Sequence, residues 1–346
     1  MSIWDILKVD IENKWKKYWL ETHPKEIGEY SWDYLFTGGK QIRPRLFCEL
    51  WQYLSPDSKI NAELAFAIEC IHVSSIILDD TPWMDNASER RGKKTIHTVF
   101  SPKKAVLISY DLIDIAINIW KNNRPVHINP DTWITLLKSK LQRLMIGQWY
   151  DLEKTGTLIE LSSLKTGVLF ELVTETVAVC TNLDTEFWKV WGNNLGVLFQ
   201  WMDDFLDMDE DKQQNNRNAF NESYENTLQN YCILWQSIEK GIGKQWFENN
   251  FGQYMKNYFT QKINISEMQS TYDNLSSIQL EYPTNILIPE LKSSSKLDKK
   301  YYFNFINGKQ MIKYIWNNVD NIISRQAKHN FWNIDESQWE NHFPNI

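Results

Sequence analysis

The stretch Ile77 to His97, ILDDTPWMDNASERRGKKTIH, constrains the chain more than any other. An apolar run stops at Asp79 and Asp80. A third carboxylate follows at Asp85, and then come Arg90, Arg91, Lys93 and Lys94. Carboxylates this close repel one another unless a cation sits among them. The basic residues have a use if an anion is held as well. Carboxylates, a metal and a phosphate answer both needs, because Mg2+ takes one or two protein carboxylates and fills its shell with phosphate oxygens and water. A second acidic cluster, FQWMDDFLD from Phe199 to Asp207, also ends an apolar segment. On a helix, Asp203 and Asp207 are four residues apart and share a face. Either cluster alone reads more simply as a solvated helix face. Two such faces across a cavity would hold several Mg2+ ions against one polyphosphate.

Around these clusters the apolar spacing is helical. Residues 3–21 place Trp4, Leu7, Ile11, Trp15 and Tyr18 on one side, and Gly28 is expected to break that helix. A helix starts near Pro44, which suits a first-turn position, and Pro56 ends it. Further helices are expected over 60–80, 103–121, 131–154, 160–182 and 185–210, with a loop over 122–130 and another over the Asn- and Gln-rich 211–222. Later helices are expected at 226–241, 244–262, 267–280 and about 308–328, with a connector over 283–300. Alternating strand patterns are scarce. The class is all-α, with long helices. Residues 1–346 are expected to form a single domain, with a core over about 30–243 and a helical extension over about 244–346.

A net charge of −7 argues against a nucleic-acid binder that works by neutralising phosphates. Cys48, Cys70, Cys180 and Cys232 are far apart and pair with no His at metal spacing, so buried reduced thiols are expected. Asp5, Asp10 and Glu12 make the first residues unlike a signal or transit peptide. No apolar run approaches the ~20 residues that span a bilayer. A cytoplasmic protein without a membrane span is expected.

Five segments in order carry a resemblance: GGKQIRPRL (Gly38 to Leu46), ECIHVSSIILDDTPWMDNASERRGKKTIH (Glu69 to His97), GQWYDL (Gly147 to Leu152), LKTG (Leu164 to Gly167) and FQWMDDFLD. Together they resemble the trans-isoprenyl diphosphate synthases, the polyprenyl synthetase family that includes farnesyl and geranylgeranyl diphosphate synthases. The four-residue spacer between Asp80 and Asp85 is that of bacterial farnesyl and plant-type geranylgeranyl synthases. The resemblance covers residues 38 to about 210 and fades afterwards. It implies an isoprenoid-synthase-type bundle of mostly antiparallel helices around a deep central cavity, usually a homodimer. It also implies head-to-tail condensation: an allylic diphosphate ionises, and the double bond of isopentenyl diphosphate attacks the cation. The leaving diphosphate needs preorganised positive charge, and the cation needs a dry apolar pocket.

By the same resemblance, Asp79, Asp85 and Asp203 are direct Mg2+ ligands, with roughly three ions per site. Asp80, Asp204 and Asp207 are further ligands or hold metal-bound water. Arg90, Lys165, Thr166 and Gln200 serve the allylic diphosphate. Lys40, Arg43, His72 and Arg91 serve isopentenyl diphosphate. Gln148 and Asp151 are supports at the cavity wall. Taken alone, Lys40 reads as a surface lysine, His72 as a core histidine and Lys165-Thr166-Gly167 as ordinary helix.

The chain departs from the family at three places. Gln41 stands where an Arg usually follows the Gly-Gly-Lys, and Leu78 where a His often precedes the aspartates. After the second acidic motif the stretch KQQNNRNAFNESYENT puts Glu225 where a lysine is expected, with Lys212 or Arg217 as substitutes. The expected product length rests on Ser74, five residues and roughly 7.5 Å before Asp79 along the helix. In short-chain members of the family with this spacer a bulky aromatic often blocks that level; serine does not, so the resemblance implies geranylgeranyl diphosphate. The alternative is that Ser74 only packs between helices and another aromatic closes the tunnel. Competing functions are a farnesyl or geranyl diphosphate synthase, a terpene synthase on the same scaffold and a non-catalytic regulatory subunit. Retention of Lys40, Arg43, His72 and Arg91 favours condensation.

Overall fold

Ser2 opens the first helix. Its hydroxyl accepts from the Asp5 amide while the Asp5 carboxylate accepts from the Ser2 amide, which satisfies two N–H groups that a helix start leaves over. The structure, a computed structural model, describes residues 2–36 and 39–207 together with Asn218, Asn221, Leu234, Ile238, Gly241 and Ile242. Among these, helix α1 spans Ile3–Thr22, α2 Lys25–Phe36, α3 Ile42–Leu54 and α4 Ala62–Asp79. A two-residue hairpin, β1 Glu89–Arg90 with β2 Lys93–Lys94, precedes the short α5 Ile96–Val99. Then come α6 Pro102–Asn122, α7 Pro130–Leu152, α8 Leu158–Ser162, α9 Val168–Cys180 and α10 Thr185–Leu206. The loop expected at 211–222, apart from Asn218 and Asn221, and the later helices expected from 226 onward, apart from Leu234, Ile238, Gly241 and Ile242, lie outside the described residues.

Three expectations need correction. The break after α1 lies at His23–Pro24, not at Gly28: Pro24 holds His23 extended, at φ −112° and ψ 150°, and α2 starts immediately. Gly28 sits inside α2, where a Cβ would stand 3.3 Å from Leu20, so its small size serves the close approach of α1. The helix expected over 160–182 is interrupted by a π-turn at Ser163–Gly167. The third concerns residues 77–97, where Glu89–Arg90 and Lys93–Lys94 form a short hairpin that leaves the all-α class intact. Its turn places Arg91 at φ 55° and Gly92 at φ 74°, the left-handed pair that a two-residue hairpin requires.

α4 and α9 form the centre. α4 buries Leu64, Phe66, Ile68, Cys70, Ile71, Val73 and Ile77 on several sides, as a helix enclosed by others must. Against it packs α6, whose Pro102 occupies the first turn behind the Ser101 cap. α6 and α7 are joined where Trp120 stacks on Trp133 at 4.4 Å. Each indole N–H donates to the other residue's carbonyl, at 2.9 and 2.7 Å. Among the described residues no helix is long and apolar enough to cross a membrane.

A buried charge cluster ties α7, α9 and α10 together. Lys140 lies 2.6 Å from Glu171 and 2.7 Å from Glu175, and Arg143 donates to both Glu171 oxygens at 2.7 and 2.8 Å. Asn193 on α10 donates to Glu171 at 3.0 Å. Burial alone would raise the Glu171 carboxyl; Arg143 and Lys140 overcome it and hold it at about 2. This depressed acid stabilises the fold above the unfolded value of 4.5, and that contribution drains as pH falls from 4.5 towards about 2. Glu171→Gln removes the buried carboxylate that Lys140 and Arg143 share and should cost about 3 kcal/mol in urea unfolding at pH 7. Unfolding stability of the wild type and of Glu171→Gln should converge as pH approaches 2; parallel curves would sink the assignment.

Candidate functional site

The two acidic motifs sit at the C-terminal ends of α4 and α10. α4 stops at Asp79, and Pro82 prevents its continuation. The chain folds back instead: the Asp85 amide donates to the Asp79 carbonyl at 2.8 Å and the Asn86 amide to the Thr81 carbonyl at 3.0 Å. The four-residue spacer is this turn, and it returns Asp85 to the end of the helix. On α10 the Asp207 amide donates to the Asp203 carbonyl at 3.0 Å, so the helical spacing of these two aspartates is kept.

Asp80 is engaged by protein groups on α2 and the hairpin. It is 1% exposed, accepts from Tyr34 Oη at 2.5 Å and is paired with Arg90 Nε at 2.7 Å. The Tyr34 hydroxyl is pushed up by burial and by that bond to Asp80, so it remains a donor. Burial disfavours the Arg90 charge, but Asp80 outweighs it and raises the guanidinium. Sequence reasoning missed Tyr34, which lies in an apolar segment without a chemical signature.

Asp79 is held up at about 6, chiefly by burial and then by Asp85 and Asp151, with Lys165 and Arg90 acting against the shift. Asp203 is held up at about 7 by burial and by Asp207 and Asp204, against Lys40 and Arg43. Asp85 is raised, first by burial. Lys165 pairs with Asp151, and Asp79 and Asp151 keep its charge despite burial. Gln148 donates to Met84 Sδ at 3.2 Å.

The π-turn links the motifs. Thr166 Oγ1 donates to Gln200 Oε1 at 2.7 Å, and Gln200 Nε2 donates to Asp204 at 2.9 Å. Neighbouring residues of one turn thus serve opposite clusters, Lys165 towards Asp79 and Thr166 towards Asp204. A π-turn widens the helix by one residue and is often found at functional sites. Asn193 braces it: Ser163 Oγ donates to Asn193 Oδ1 at 2.8 Å, and Asn193 Nδ2 donates back to the Ser163 carbonyl.

Lys40, Arg43, His72 and Arg91 also lie within electrostatic reach of these groups: Lys40 and Arg43 act on Asp203, and Arg43 and Arg91 on His72. Arg43 is buried, lies 5.0 Å from the Phe170 ring and is lowered to about 10 by burial. His72 is held neutral, well below its usual range, by burial and then by Arg43, Arg91 and Arg90. Arg91 stands against Gly39, where a Cβ would meet its Nη1 at 2.8 Å. A pocket between α2, α4 and the hairpin is lined by Tyr34, Val73, Ile76, Arg90, Arg91 and Lys93.

Ser74 lies in the seam between α4 and α6. It shares a 2.7 Å hydrogen bond with the Ser109 hydroxyl and donates to the Ser109 carbonyl at 3.1 Å, while Ser109 donates back to the Ser74 carbonyl at 3.2 Å. Lys212, Arg217 and Glu225 lie outside the described residues.

Among the described residues, no three carboxylate, imidazole or thiol groups form a ready-made metal cluster. The donors nonetheless suit a hard divalent ion. They are oxygens held short of water, and Mg2+ requires only one or two of them at a time. Without such an ion, acids whose folded values are raised to about 6 and 7 destabilise the fold as pH rises from about 4 to 7, since the unfolded chain releases those protons first. Thermal melts in chelator should lose stability over that window, and added Mg2+ should restore more at pH 8 than at pH 5. An equal shift at both values would refute the electrostatic account.

The sequence model of the family described as polyprenyl synthetase matches residues 25–256. A farnesyl diphosphate synthase of Geobacillus stearothermophilus is 32% identical over 189 residues, 51% of this chain and 64% of that protein. A geranylgeranyl diphosphate synthase of Cereibacter sphaeroides is 31% identical over 183 residues, 51% of this chain and 63% of that protein. The matched segment thus spans just under two thirds of these curated relatives. An isoprenoid synthase family member from Thermotoga neapolitana superposes with a TM-score of 0.62 at 23% identity, over 72% of this chain and 98% of that one. A geranyltransferase of Helicobacter pylori, solved in complex with magnesium and isoprenyl diphosphate, superposes with a TM-score of 0.53 at 19% identity, over 72% of this chain and 95% of that one. The two structures share the helical fold of isoprenoid synthases. With one family's model matching most of the chain, and both aspartate clusters inside the match, this chain belongs to the polyprenyl synthetase family.

Proposed function

We propose that this protein is a Mg2+-dependent prenyltransferase that condenses isopentenyl diphosphate with an allylic diphosphate. The observation that carries the reading is the pair of desolvated carboxylates, Asp79 and Asp203, whose motifs the π-turn connects, Lys165 acting on Asp79 and Thr166 reaching Asp204 through Gln200. When bound, Mg2+ supplies positive charge to the leaving diphosphate. Asp79, Asp85, Asp203 and Asp207 would hold it, with Asp204 steadied by Gln200 and Asp80 engaged by Tyr34 and Arg90.

In this reaction the allylic C–O bond breaks and diphosphate leaves with the electron pair. The double bond of isopentenyl diphosphate then forms a bond to the allylic carbon, and a proton is lost from the adjacent carbon. The product is an allylic diphosphate five carbons longer. Lys165 and Arg90 face the departing diphosphate. Lys40, Arg43 and Arg91 hold the second diphosphate, and His72 offers it a neutral imidazole that can donate a hydrogen bond. Each cation already has a carboxylate nearby, so preorganised charge rather than new chemistry lowers the barrier.

The product we propose is geranylgeranyl diphosphate, since serine rather than an aromatic residue stands five residues before Asp79. The protein would act as a homodimer, for which exposed Leu107 and Tyr110 on α6 and Met145 and Trp149 on α7 supply apolar surface.

The test is a product assay with labelled isopentenyl diphosphate, Mg2+ and dimethylallyl, geranyl or farnesyl diphosphate. A twenty-carbon product is expected. A fifteen-carbon product keeps the chemistry and refutes the length, and hydrocarbon release without elongation would make the protein a terpene synthase. Asp79→Ala combined with Asp203→Ala should abolish Mg2+-dependent turnover; retained turnover refutes the metal assignment. Ser74→Phe should shorten the product if the growing chain passes this level, and an unchanged profile in a folded variant leaves Ser74 as a packing residue only.

A further inference from the structure

The loop carrying Lys40 is gripped from a side that the proposed chemistry does not use. Gln41 follows Lys40 in the left-handed region, at φ 49° and ψ 44°, a conformation that a non-glycine residue adopts only when its surroundings enforce it. Its side chain is buried, and its Oε1 accepts from the indole N–H of Trp4 on α1 at 2.9 Å. Trp4 is itself fully buried.

A second tie reaches the same loop. Arg45 Nε donates to the Lys40 carbonyl at 3.1 Å. The other end of that guanidinium holds Asp5 with two bonds, Nη1 to Oδ2 at 2.8 Å and Nη2 to Oδ1 at 2.6 Å, and also donates to Ser2 Oγ at 2.6 Å. Arg45 holds the Asp5 carboxyl down at about 2, so the carboxylate is ionised near neutral pH. A fork this well matched restricts both partners. The start of α1 is fixed in turn on α3, because the Ile3 amide donates to Glu49 Oε1 at 3.1 Å.

Trp4 and Asp5 therefore reach the residues on either side of the Lys40–Gln41 peptide bond through separate contacts. Where the family resemblance leads one to expect an arginine at position 41, this chain has a neutral side chain whose carbonyl is committed to α1. On the basis of the function proposed above, we infer that the first turn of α1 is a positioning element for the non-allylic diphosphate. Trp4 and Asp5, acting through Gln41 and Arg45, set the backbone from which Lys40 and Arg43 project. They touch no substrate.

Two variants test this, the second without change of bulk. Trp4→Phe removes the indole N–H and leaves Gln41 Oε1 buried without a donor; Asp5→Asn weakens the fork. Each should raise KM for isopentenyl diphosphate about tenfold, the scale of one charge-assisted or buried hydrogen bond. KM for the allylic diphosphate and kcat should stay within about twofold, and Asp5→Glu should restore most of the loss. Amide hydrogen exchange in the full chain should accelerate at residues 39–46 and not in α4. Equal rises in both KM values with faster exchange throughout α1 to α4 would mean that α1 only stabilises the fold, and the inference fails. Unchanged KM and exchange in both variants also overturn it. If the wild type consumes no isopentenyl diphosphate with any allylic partner, the proposed function falls instead. Exchange at 39–46 and calorimetry with inorganic pyrophosphate then decide whether α1 governs this loop.

Discussion

The site depends on how closely α10 approaches the π-turn. A Cβ on Gly196 would stand 2.6 Å from the Gly167 Cα, and one on Gly167 would meet the Asn193 side chain at 2.9 Å. Gly192, one turn earlier on α10, likewise lies against the Phe170 carbonyl and Thr174. Three glycines thus let two helices touch through their backbones. Only at that separation does Asn193 reach the Ser163 carbonyl and Thr166 reach Gln200. A side chain at Gly167 or Gly196 would part the helices and separate the residues that connect the two acidic clusters.

Burial and charge work against each other throughout this region. A carboxylate away from water tends to take up a proton, and Asp79 and Asp203 are left in that condition. Asp85 is raised in the same direction, whereas Asp80 accepts from Tyr34 and Arg90, so the three carboxylates of the first motif have different surroundings. The same contrast separates the site from the structural cluster at Glu171. There two cations and an amide surround one acid and draw it down to about 2. Compensated charge holds helices together, whereas undercompensated charge is what a polyphosphate with its cation would relieve.

The clusters, the helical class and most helix positions were legible because each has a local cause. A run of apolar residues at helical spacing, a proline after Asp80 and four-residue spacing of aspartates act within a few residues of one another. The π-turn was not legible: Ser163–Gly167 has the composition of ordinary helix, and the bracing comes from Asn193, thirty residues away. Tyr34 and the ties from Trp4 and Asp5 are hidden for the same reason, being contacts between α1, α2 and later helices. Gly28 was misread because glycine signals both helix termination and close packing, and His23–Pro24 had already supplied the break.

At Ser74 the neighbour on α6 decides what the position can do. Its hydroxyl is engaged by Ser109, and the backbone carbonyls of both residues accept from the facing serine. Two small polar side chains let α4 and α6 lie close at this level, and neither sends bulk into the bundle. Any limit set here on a growing hydrocarbon chain is therefore a property of the seam. It depends on the separation of two helices as well as on the residue five places before Asp79. A large side chain at position 74 has two courses, to enter the space beside the seam or to wedge α4 and α6 apart. Because α4 ends in Asp79, the second course would also move the carboxylate, and under the function proposed above it would couple product length to turnover through this helix.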